Sequence, residues 1–280
     1  MKKTLATIFV ILSPLAAMPQ KVIYEKSDST RIETILRDTD SSHTGGELLL
    51  AIANSFIGQR YVGGTLEQDV EEPLFISCTE LDCTTFVELV LAIAKTANDG
   101  SHRFADVCRN LETIRYRNGK DIGYASRLHY ISWWITDSAK TGIIEEITPL
   151  ISKDKQLLDL NFMSTHPGSY PLLAEDQEMI KEIEQLEAPY RGMAVCYIPK
   201  ELIGQKVCEN IKAGDIIAIT TSIPGLDVTH IGFAYYNNGT LCLLHASSGK
   251  GKVIKDTTPL KDYLANNRRH TGIRVFRSCF

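Results

Sequence analysis

The chain has 280 residues and a formal net charge of −4, and 44% of its side chains are hydrophobic while 23% are charged. These proportions are typical of a folded globular protein with a sizeable core, and they exclude disordered and collagen-like chains. The lysine and arginine residues form no run longer than the pair Arg268 and Arg269, so we expect no nucleic acid partner.

The first 20 residues have the three-part pattern of a secretory signal peptide. Lys2 and Lys3 precede an apolar run from Leu5 to Leu12, and small residues follow up to Ala17. The apolar run is shorter than the about 20 residues that a membrane-spanning helix needs. We therefore expect an exported protein, periplasmic or extracellular, whose mature chain has no transmembrane span. An uncleaved N-terminal anchor is the alternative, because the cleavage motif is imperfect.

The middle of the chain predicts mainly helices. A helical pattern runs over residues 47–57. Asp82 is a good N-cap for a second helix that continues through residues 87–97, and because this run is apolar on nearly all sides we expect the helix to be buried. A third helical pattern covers residues 104–116, whereas residues 136–190 predict loops and short helices.

The C-terminal third predicts short strands separated by turn residues. The strands cover residues 193–198, 215–220, 230–236, 241–247, 252–255 and 272–277. Helices followed by a strand meander favour an α+β fold in which helices pack on one face of a mostly antiparallel sheet. We therefore expect a single domain over residues 21–280, with an insertion at about residues 101–190.

Cys83 is the first candidate for chemistry. It follows the N-cap and opens the buried helix, so its sulfur lies near unpaired backbone N–H groups and the positive end of the helix dipole. Both favour the nucleophilic thiolate, and the same N–H groups can stabilise an oxyanion on an attacked carbonyl. The alternative is that Cys83 is a small buried residue or half of a disulfide. The chain has seven cysteines, and an odd number leaves at least one thiol unpaired within a monomer.

His230 and His245 lie on neighbouring predicted strands joined by an Asn-Gly pair at residues 238–239, which is typical of a two-residue hairpin turn. With that turn, both histidines fall on one face at diagonal positions, about 7–8 Å apart at the backbone. The same face carries Gly232 and Ala234, which leave room for a helix to approach. Small residues around two histidines indicate a site rather than a core, although a bulge would break this arrangement.

Together these residues form a nucleophile, a base and an orienting group. His230 would take the proton of Cys83 and later protonate the leaving amine. His245 would accept a hydrogen bond from His230 and fix its tautomer and ring position. Asp227, which precedes His230 by three residues, is either a substrate contact or an ordinary loop residue.

Four sequence motifs resemble those of the NlpC/p60 cysteine peptidases, which have a papain-like fold. The motifs are Tyr61-Val62-Gly63-Gly64, Asp82-Cys83-Thr84-Thr85-Phe86-Val87, Thr229-His230-Ile231-Gly232 and His245-Ala246-Ser247. The segment from Tyr124 to Tyr130, and a correspondence over roughly residues 45–280, also resemble a branch of that superfamily described as N-acetylmuramoyl-L-alanine amidase-like.

This resemblance implies hydrolysis of an amide in bacterial peptidoglycan or its muramyl-peptide turnover fragments, with Cys83, His230 and His245 as the triad. It also implies that Tyr61 lies beside the nucleophile, and we expect Tyr61 to contact the substrate there. The favoured bond joins N-acetylmuramic acid to L-alanine, and a γ-D-glutamyl-diamino acid endopeptidase with the same triad is the alternative. The chain departs from the endopeptidase pattern, because Thr84 replaces a serine and Val62 replaces an aromatic residue.

An aromatic and basic segment, residues 124–134, lies within the predicted insertion. Arg127 can bind a carboxylate of a muramyl peptide through two hydrogen bonds, and Arg127 and His129 are our candidates for substrate contact. Trp133 and Trp134 lie in the same segment, and we favour hydrophobic packing over sugar stacking for both. A large insertion beside the site favours small fragments over intact cell wall as the substrate.

The main competing hypothesis is a zinc hydrolase that uses His230, His245 and a cysteine or Asp227, since catalytic zinc commonly has three protein ligands. The chain has no His-Glu-x-x-His or Cys-x-x-Cys motif, so we expect no metal and no other cofactor. A non-catalytic cell-wall-binding module is a third hypothesis, which the three filled triad positions disfavour. We expect a monomer, and the six cysteines other than Cys83 allow up to three disulfides whose pairing the sequence leaves open.

Overall fold

A computed structural model describes residues 21–67, 72–119 and 122–280, and the predicted signal peptide, residues 1–20, lies outside these described residues. The helices of the described residues are α1 (Lys26–Asp38), α2 (Gly45–Asn54), α3 (Cys83–Asn98), α4 (Phe104–Arg115), α5 (Ile131–Lys140), α6 (Thr148–Ile151), α7 (Phe162–Thr165), α8 (Gln177–Glu187), α9 (Gln205–Cys208) and α10 (Leu260–Ala265). The strands are β1 (Val22–Ile23), β2 (Arg60–Tyr61), β3 (Leu74–Phe75), β4 (Glu80–Leu81), β5 (Ile144–Glu146), β6 (Lys155–Leu158), β7 (Met193–Cys196), β8 (Ile198–Pro199), β9 (Ile216–Thr221), β10 (Val228–Asn237), β11 (Thr240–Ser247), β12 (Lys252–Lys255) and β13 (His270–Ser278).

Nine of these strands form one mostly antiparallel sheet. Eight of them follow the order β4-β2-β12-β11-β10-β9-β13-β5, and β8 also pairs with β13. The pair β2 and β4, at one edge, is parallel. Two further two-stranded sheets join β1 to β3 and β6 to β7. The α+β class that the sequence predicts is therefore confirmed.

Helices cover one face of the large sheet. α3 packs on β10 and β11, with α2 and α4 beside it. The ring of Phe86 in α3 meets that of Phe233 in β10 edge to face, with ring centres 5.7 Å apart. α3 is buried along most of its length, as its apolar sequence predicts. This layer holds the helix that begins at Cys83 against the strand that carries His230.

The opposite face of the sheet has a smaller core of its own, where α10 packs in addition to the helical layer that the sequence predicts on one face. Leu260 and Leu264 of α10 pack there with Ala234 and Leu243. Because side chains alternate along a strand, Phe233 faces α3 whereas its neighbour Ala234 faces α10. The helix that approaches the small residues of the hairpin is therefore α10, not α3, the helix that begins at Cys83.

The segment 136–190 contains the end of α5, the short helices α6 and α7, and the longer α8. It also contains strands β5 and β6, which the sequence pattern did not predict, because each pairs with a strand far along the chain. Within the part of the chain that the structure describes, no helix has the length and apolar character needed to cross a membrane.

Candidate active site

Cys83 is the first residue of α3, and Asp82 caps the helix as predicted. The Asp82 carboxylate accepts hydrogen bonds from the backbone N–H and the hydroxyl of Thr85, both at 2.8 Å. Cys83 and Ile231 of β10 line the same cavity, and α3 packs on β10. The start of α3 therefore lies beside the part of β10 that carries His230.

His230 and His245 contact each other on the hairpin of β10 and β11. Nε2 of His230 lies 2.5 Å from Nδ1 of His245, and the two rings are nearly perpendicular, with centres 4.8 Å apart. The turn residues 238–239 have φ values of 49° and 80°, and Phe233 pairs with Leu244, so the strands have the predicted register. A bulge in β10 just before His230 changes its pairing with β9 and leaves the two histidines in contact.

Two further side chains surround the histidine pair. Oδ2 of Asp256 lies 3.7 Å from Nε2 of His245. The ring of Tyr263, in α10, lies between those of His230 and His270, with centre-to-centre distances of 6.2 Å and 5.9 Å. Tyr263 therefore packs against His230 from the side of the smaller core.

A cavity of about 140 Å³ lies beside Cys83. Its walls come from the start of α3, from β10 with the loop before it, and from the predicted insertion. The lining residues are Cys83, Thr84, His129, Tyr130, Ile131, Met163, Tyr170, Leu226, Asp227, Val228, Thr229, His230 and Ile231. Cys83 and His230 thus face the same cavity, where a bound amide can meet both.

Burial favours the neutral forms of Cys83 and His230. Burial, together with the neighbouring Asp82 carboxylate, raises the pKa of the Cys83 thiol to about 12, although hydrogen bonds to the sulfur oppose this. Burial, together with the charges that His245 and His270 can carry, lowers the pKa of His230 to about 3. The sequence predicts a thiolate from the position at the helix start, but desolvation of the charged form outweighs that contribution.

Tyr61 lies near Cys83. It pairs with Leu81, two residues before Cys83. Burial raises the pKa of Tyr61 to about 12, and the negative charges that Cys83 and Asp82 can carry act in the same direction. The Tyr61 hydroxyl therefore remains a hydrogen-bond donor at neutral pH, and its contact with a substrate stays a prediction.

Asp227 and His129 line the cavity, and both are held by backbone groups. Oδ2 of Asp227 accepts the N–H of Ser132 at 2.6 Å, and Oδ1 accepts the N–H of Val228 at 2.8 Å. Nε2 of His129 lies 2.8 Å from the carbonyl oxygen of Tyr124. Burial raises the pKa of Asp227 and, as the first cause, lowers the pKa of His129 well below its ordinary range. Their substrate contacts stay predictions.

Arg127 lies outside the cavity lining. Its guanidinium donates to the carbonyl oxygen of Leu66 at 2.8 Å and pairs with the carboxylates of Glu67 and Glu72. It also lies over the ring of Tyr124, 4.9 Å from the ring centre. The guanidinium is therefore occupied by protein groups, and a direct contact with a substrate carboxylate would require these bonds to break.

Three residues of the site were not found from the sequence: Tyr170, Asp256 and Tyr263. Tyr170 belongs to the predicted insertion and lines the cavity. The sequence of the insertion has no periodic pattern from which this position could be predicted. Asp256 and Tyr263 follow β12 in a polar stretch without a motif, and no local signal distinguishes them from other acidic or aromatic residues. Trp133 and Trp134 are buried, as the packing interpretation predicts.

All seven cysteines lie within the described residues, and all are free thiols. The disulfides that the sequence allows are therefore not formed in this structure. Cys83 is unpaired, which is the condition that a nucleophile requires.

The residues considered for zinc do not converge. Across residues 21–67, 72–119 and 122–280, no group of three or more His, Cys, Asp or Glu side chains is arranged to hold a metal ion. His230 and His245 turn ring nitrogens toward each other at 2.5 Å, and Asp227 uses both oxygens on backbone N–H groups. These geometries leave no shared point for three ligands.

The sequence profile of the AmiA-like family, described as N-acetylmuramoyl-L-alanine amidase-like, matches residues 51–273. The chain belongs to the N-acetylmuramoyl-L-alanine amidase-like family. The matched region contains Cys83, His230 and His245, so the whole candidate site lies within it. Family membership indicates an amidase-type hydrolase with a peptidoglycan-type substrate. A search of curated proteins finds no match.

The chain is also similar to solved structures. An N-acetylmuramoyl-L-alanine amidase from Bacteroides uniformis is 42% identical, with 83% of this chain and 98% of that chain covered and a TM-score of 0.79. A protein from Bacteroides fragilis that was named as a candidate xylanase is 45% identical, with 81% and 99% covered and a TM-score of 0.77. A protein from Legionella pneumophila is 23% identical, with 90% and 94% covered and a TM-score of 0.68, and shares the fold.

Proposed function

We propose that this protein is a cysteine amidase that hydrolyses the bond between N-acetylmuramic acid and L-alanine in peptidoglycan or its muramyl-peptide fragments. The observation that carries the proposal is that Cys83 and His230 line one cavity while His245 contacts His230 at 2.5 Å. The family and the Bacteroides uniformis amidase support the choice of bond. The motifs that resemble NlpC/p60 peptidases support a papain-like fold and this triad.

In the proposed reaction, Cys83 and His230 are both neutral at the start. Because Nε2 of His230 faces His245, Nδ1 is the nitrogen available to Cys83. As Sγ attacks the carbonyl carbon, the thiol proton moves to Nδ1 and the carbonyl oxygen becomes an oxyanion. Backbone N–H groups at the start of α3 are placed to stabilise that charge. His230 then gives the proton to the nitrogen of L-alanine, the C–N bond breaks, and a thioester to the lactyl group of muramic acid remains.

Water completes the cycle. It attacks the thioester carbon while His230 accepts its proton, and the C–S bond breaks with return of that proton to the sulfur. The products are a free muramic acid carboxyl group and a peptide with a free L-alanine amino group. Cys83 and His230 return to their neutral states, so the cycle needs no cofactor.

The size of the cavity favours small substrates. At about 140 Å³, it accepts part of a muramyl peptide and leaves little room for cross-linked strands of intact wall. Tyr170 and Met163, from the insertion, close it on one side. We therefore propose turnover fragments as the preferred substrate class.

We also propose that the protein is exported, periplasmic or extracellular, on the basis of the signal-peptide pattern of residues 1–20.

The xylanase name of the Bacteroides fragilis protein raises a second hydrolytic chemistry. Glycoside hydrolysis canonically uses two carboxyl groups that flank the scissile bond. Asp227 is the carboxylate among the residues that line the cavity, and both its oxygens accept backbone N–H groups. The site therefore favours amide over glycoside hydrolysis.

Product analysis tests the proposal. We expect the purified protein to release a free peptide with an N-terminal L-alanine from a defined muramyl tetrapeptide, as measured by mass spectrometry. Cleavage between D-glutamate and the diamino acid would instead select the endopeptidase function. Cys83→Ala should abolish hydrolysis, whereas the exposed control Cys279→Ala should retain it. Activity that survives alkylation but is lost in chelator would overturn the thiol mechanism in favour of zinc.

A further inference from the structure

Asp256 approaches the side of His245 that faces away from His230. Oδ2 of Asp256 lies 3.7 Å from Nε2 of His245, a separation beyond a hydrogen bond, so the contact is electrostatic. Nε2 of His245 is buried and has no hydrogen-bond partner in the structure. A buried N–H group without a hydrogen-bond partner raises the free energy of the folded protein, and the nearby carboxylate offsets part of that increase.

The nitrogen that carries the proton on the His230 ring determines which nitrogen carries it on the His245 ring. For Nδ1 of His230 to accept the Cys83 proton, the neutral ring must carry its own proton on Nε2. That Nε2–H then donates to Nδ1 of His245 at 2.5 Å, which leaves the proton of His245 on Nε2. This N–H is the group that points toward Asp256, so a carboxylate there stabilises the one arrangement of protons that makes His230 a base.

Asp256 is held firmly. Its backbone N–H donates to the carbonyl of Leu243 at 2.9 Å, and its carbonyl oxygen accepts the hydroxyl of Tyr235 at 2.7 Å. The N–H of Thr258 donates to Oδ1 at 2.9 Å, which leaves Oδ2 for His245. Burial raises the pKa of Asp256, but the Thr258 hydrogen bonds and the nearby His245 and Lys250 outweigh it and lower the pKa, so the group is an anion at neutral pH.

We propose that Asp256 is a positioning residue that fixes the tautomer of His245 and, through it, the tautomer of His230. This inference rests on the proposed triad chemistry and extends it to a fourth member. Asp256 does not touch the cavity, so it acts on the proton of the base and not on substrate binding. Its removal therefore changes kcat and not KM.

The test compares Asp256→Asn and Asp256→Ala with a matched control, Asp262→Asn, an exposed aspartate on α10. We expect kcat for a muramyl peptide to fall at least about tenfold in both Asp256 variants, as for other partners that orient a functional histidine. KM should stay within about twofold and the control should match the wild type. The fall in kcat should be smaller in Asp256→Asn than in Asp256→Ala, because an amide oxygen can still face Nε2 of His245.

A second readout needs no turnover. In ¹⁵N NMR of the histidine rings, the wild type should show His230 and His245 both protonated at Nε2, and the Asp256 variants should populate the Nδ1–H form of His245. Unchanged tautomers together with unchanged kcat would overturn the role of Asp256. If the wild type cleaves no muramyl peptide but the tautomers shift as expected, the proposed substrate fails while the role of Asp256 stands.

Discussion

Gly232 lies directly against His245 across the hairpin: a Cβ atom at position 232 would be 2.8 Å from Cβ of His245 and 3.1 Å from the carbonyl oxygen of Leu244. Real Cβ atoms do not approach so closely, so only glycine leaves His245 where it can meet His230. Gly232 is thus part of the geometry of the proposed triad, although it has no chemistry of its own.

We expect Gly232→Ala to push His245 away from His230 and to lower kcat at least about tenfold, since small misplacements of reacting groups have large effects. Gly249→Ala is the matched control, because a Cβ there meets no atom within 4 Å. Steady-state kinetics with a muramyl peptide measure both variants. Equal rates for Gly232→Ala and the wild type would show that the close contact has no role in the reaction.

Tyr263 provides a second test of the histidine geometry. Its ring packs on His230 and His245, with centre-to-centre distances of 6.2 Å and 5.6 Å. We expect Tyr263→Ala to lower kcat about tenfold through a looser His230 ring, whereas Tyr263→Phe keeps the ring and most of the rate. If kcat falls as much in Tyr263→Phe as in Tyr263→Ala, the hydroxyl and not the ring is the important group. Thermal unfolding of both variants separates this effect from general destabilisation.

The raised pKa of Cys83 predicts slow alkylation at neutral pH. With a pKa of about 12, the thiolate fraction is small at pH 7 and grows about tenfold per pH unit, and the thiolate is the reactive form. Iodoacetamide should therefore modify Cys83 faster by about a hundredfold at pH 9 than at pH 7. Peptide mass spectrometry distinguishes Cys83 from the six other free thiols. A rate already at its plateau near pH 7 would indicate a thiolate–imidazolium pair instead.

Arg127 is predicted to stabilise the fold. Its guanidinium and the Glu72 carboxylate each have 4% of their side chains exposed, so Arg127→Ala leaves a buried carboxylate without its partner. We expect the free energy of unfolding to fall by about 3 kcal/mol. Arg60→Ala, which removes an ion pair at the surface, should change it by less than about 1 kcal/mol. Denaturant unfolding measures both, and a small loss in Arg127→Ala would restore the hypothesis that Arg127 binds substrate.

Local patterns were enough to predict that a helix begins at Cys83 and that His230 and His245 meet. Asp82 and the apolar run behind Cys83 define the start of α3, and the Asn-Gly turn sets the register that brings His230 to His245. These features depend on residues close in sequence, where capping and alternation act.

The remainder of the site depends on distant contacts. Tyr263 reaches the histidines because α10 packs on the far face of the sheet, and a sequence pattern does not reveal which face a short helix covers. Asp256, which follows β12, reaches His245 because its backbone bonds to Leu243 and Tyr235 of the hairpin. The raised pKa of Cys83 was also not visible in the sequence, because the helix start is a local feature whereas the burial that opposes it depends on β10 and the insertion.

The division of the site between α3 and the C-terminal strands has a consequence for biosynthesis. A growing chain completes the helix of Cys83 long before it contains His230, His245 or α10, so the thiol first emerges without its base. Contacts between residues so far apart in sequence form late and slowly in folding. Partly synthesised chains that lack His230, His245 and α10 should therefore be inactive.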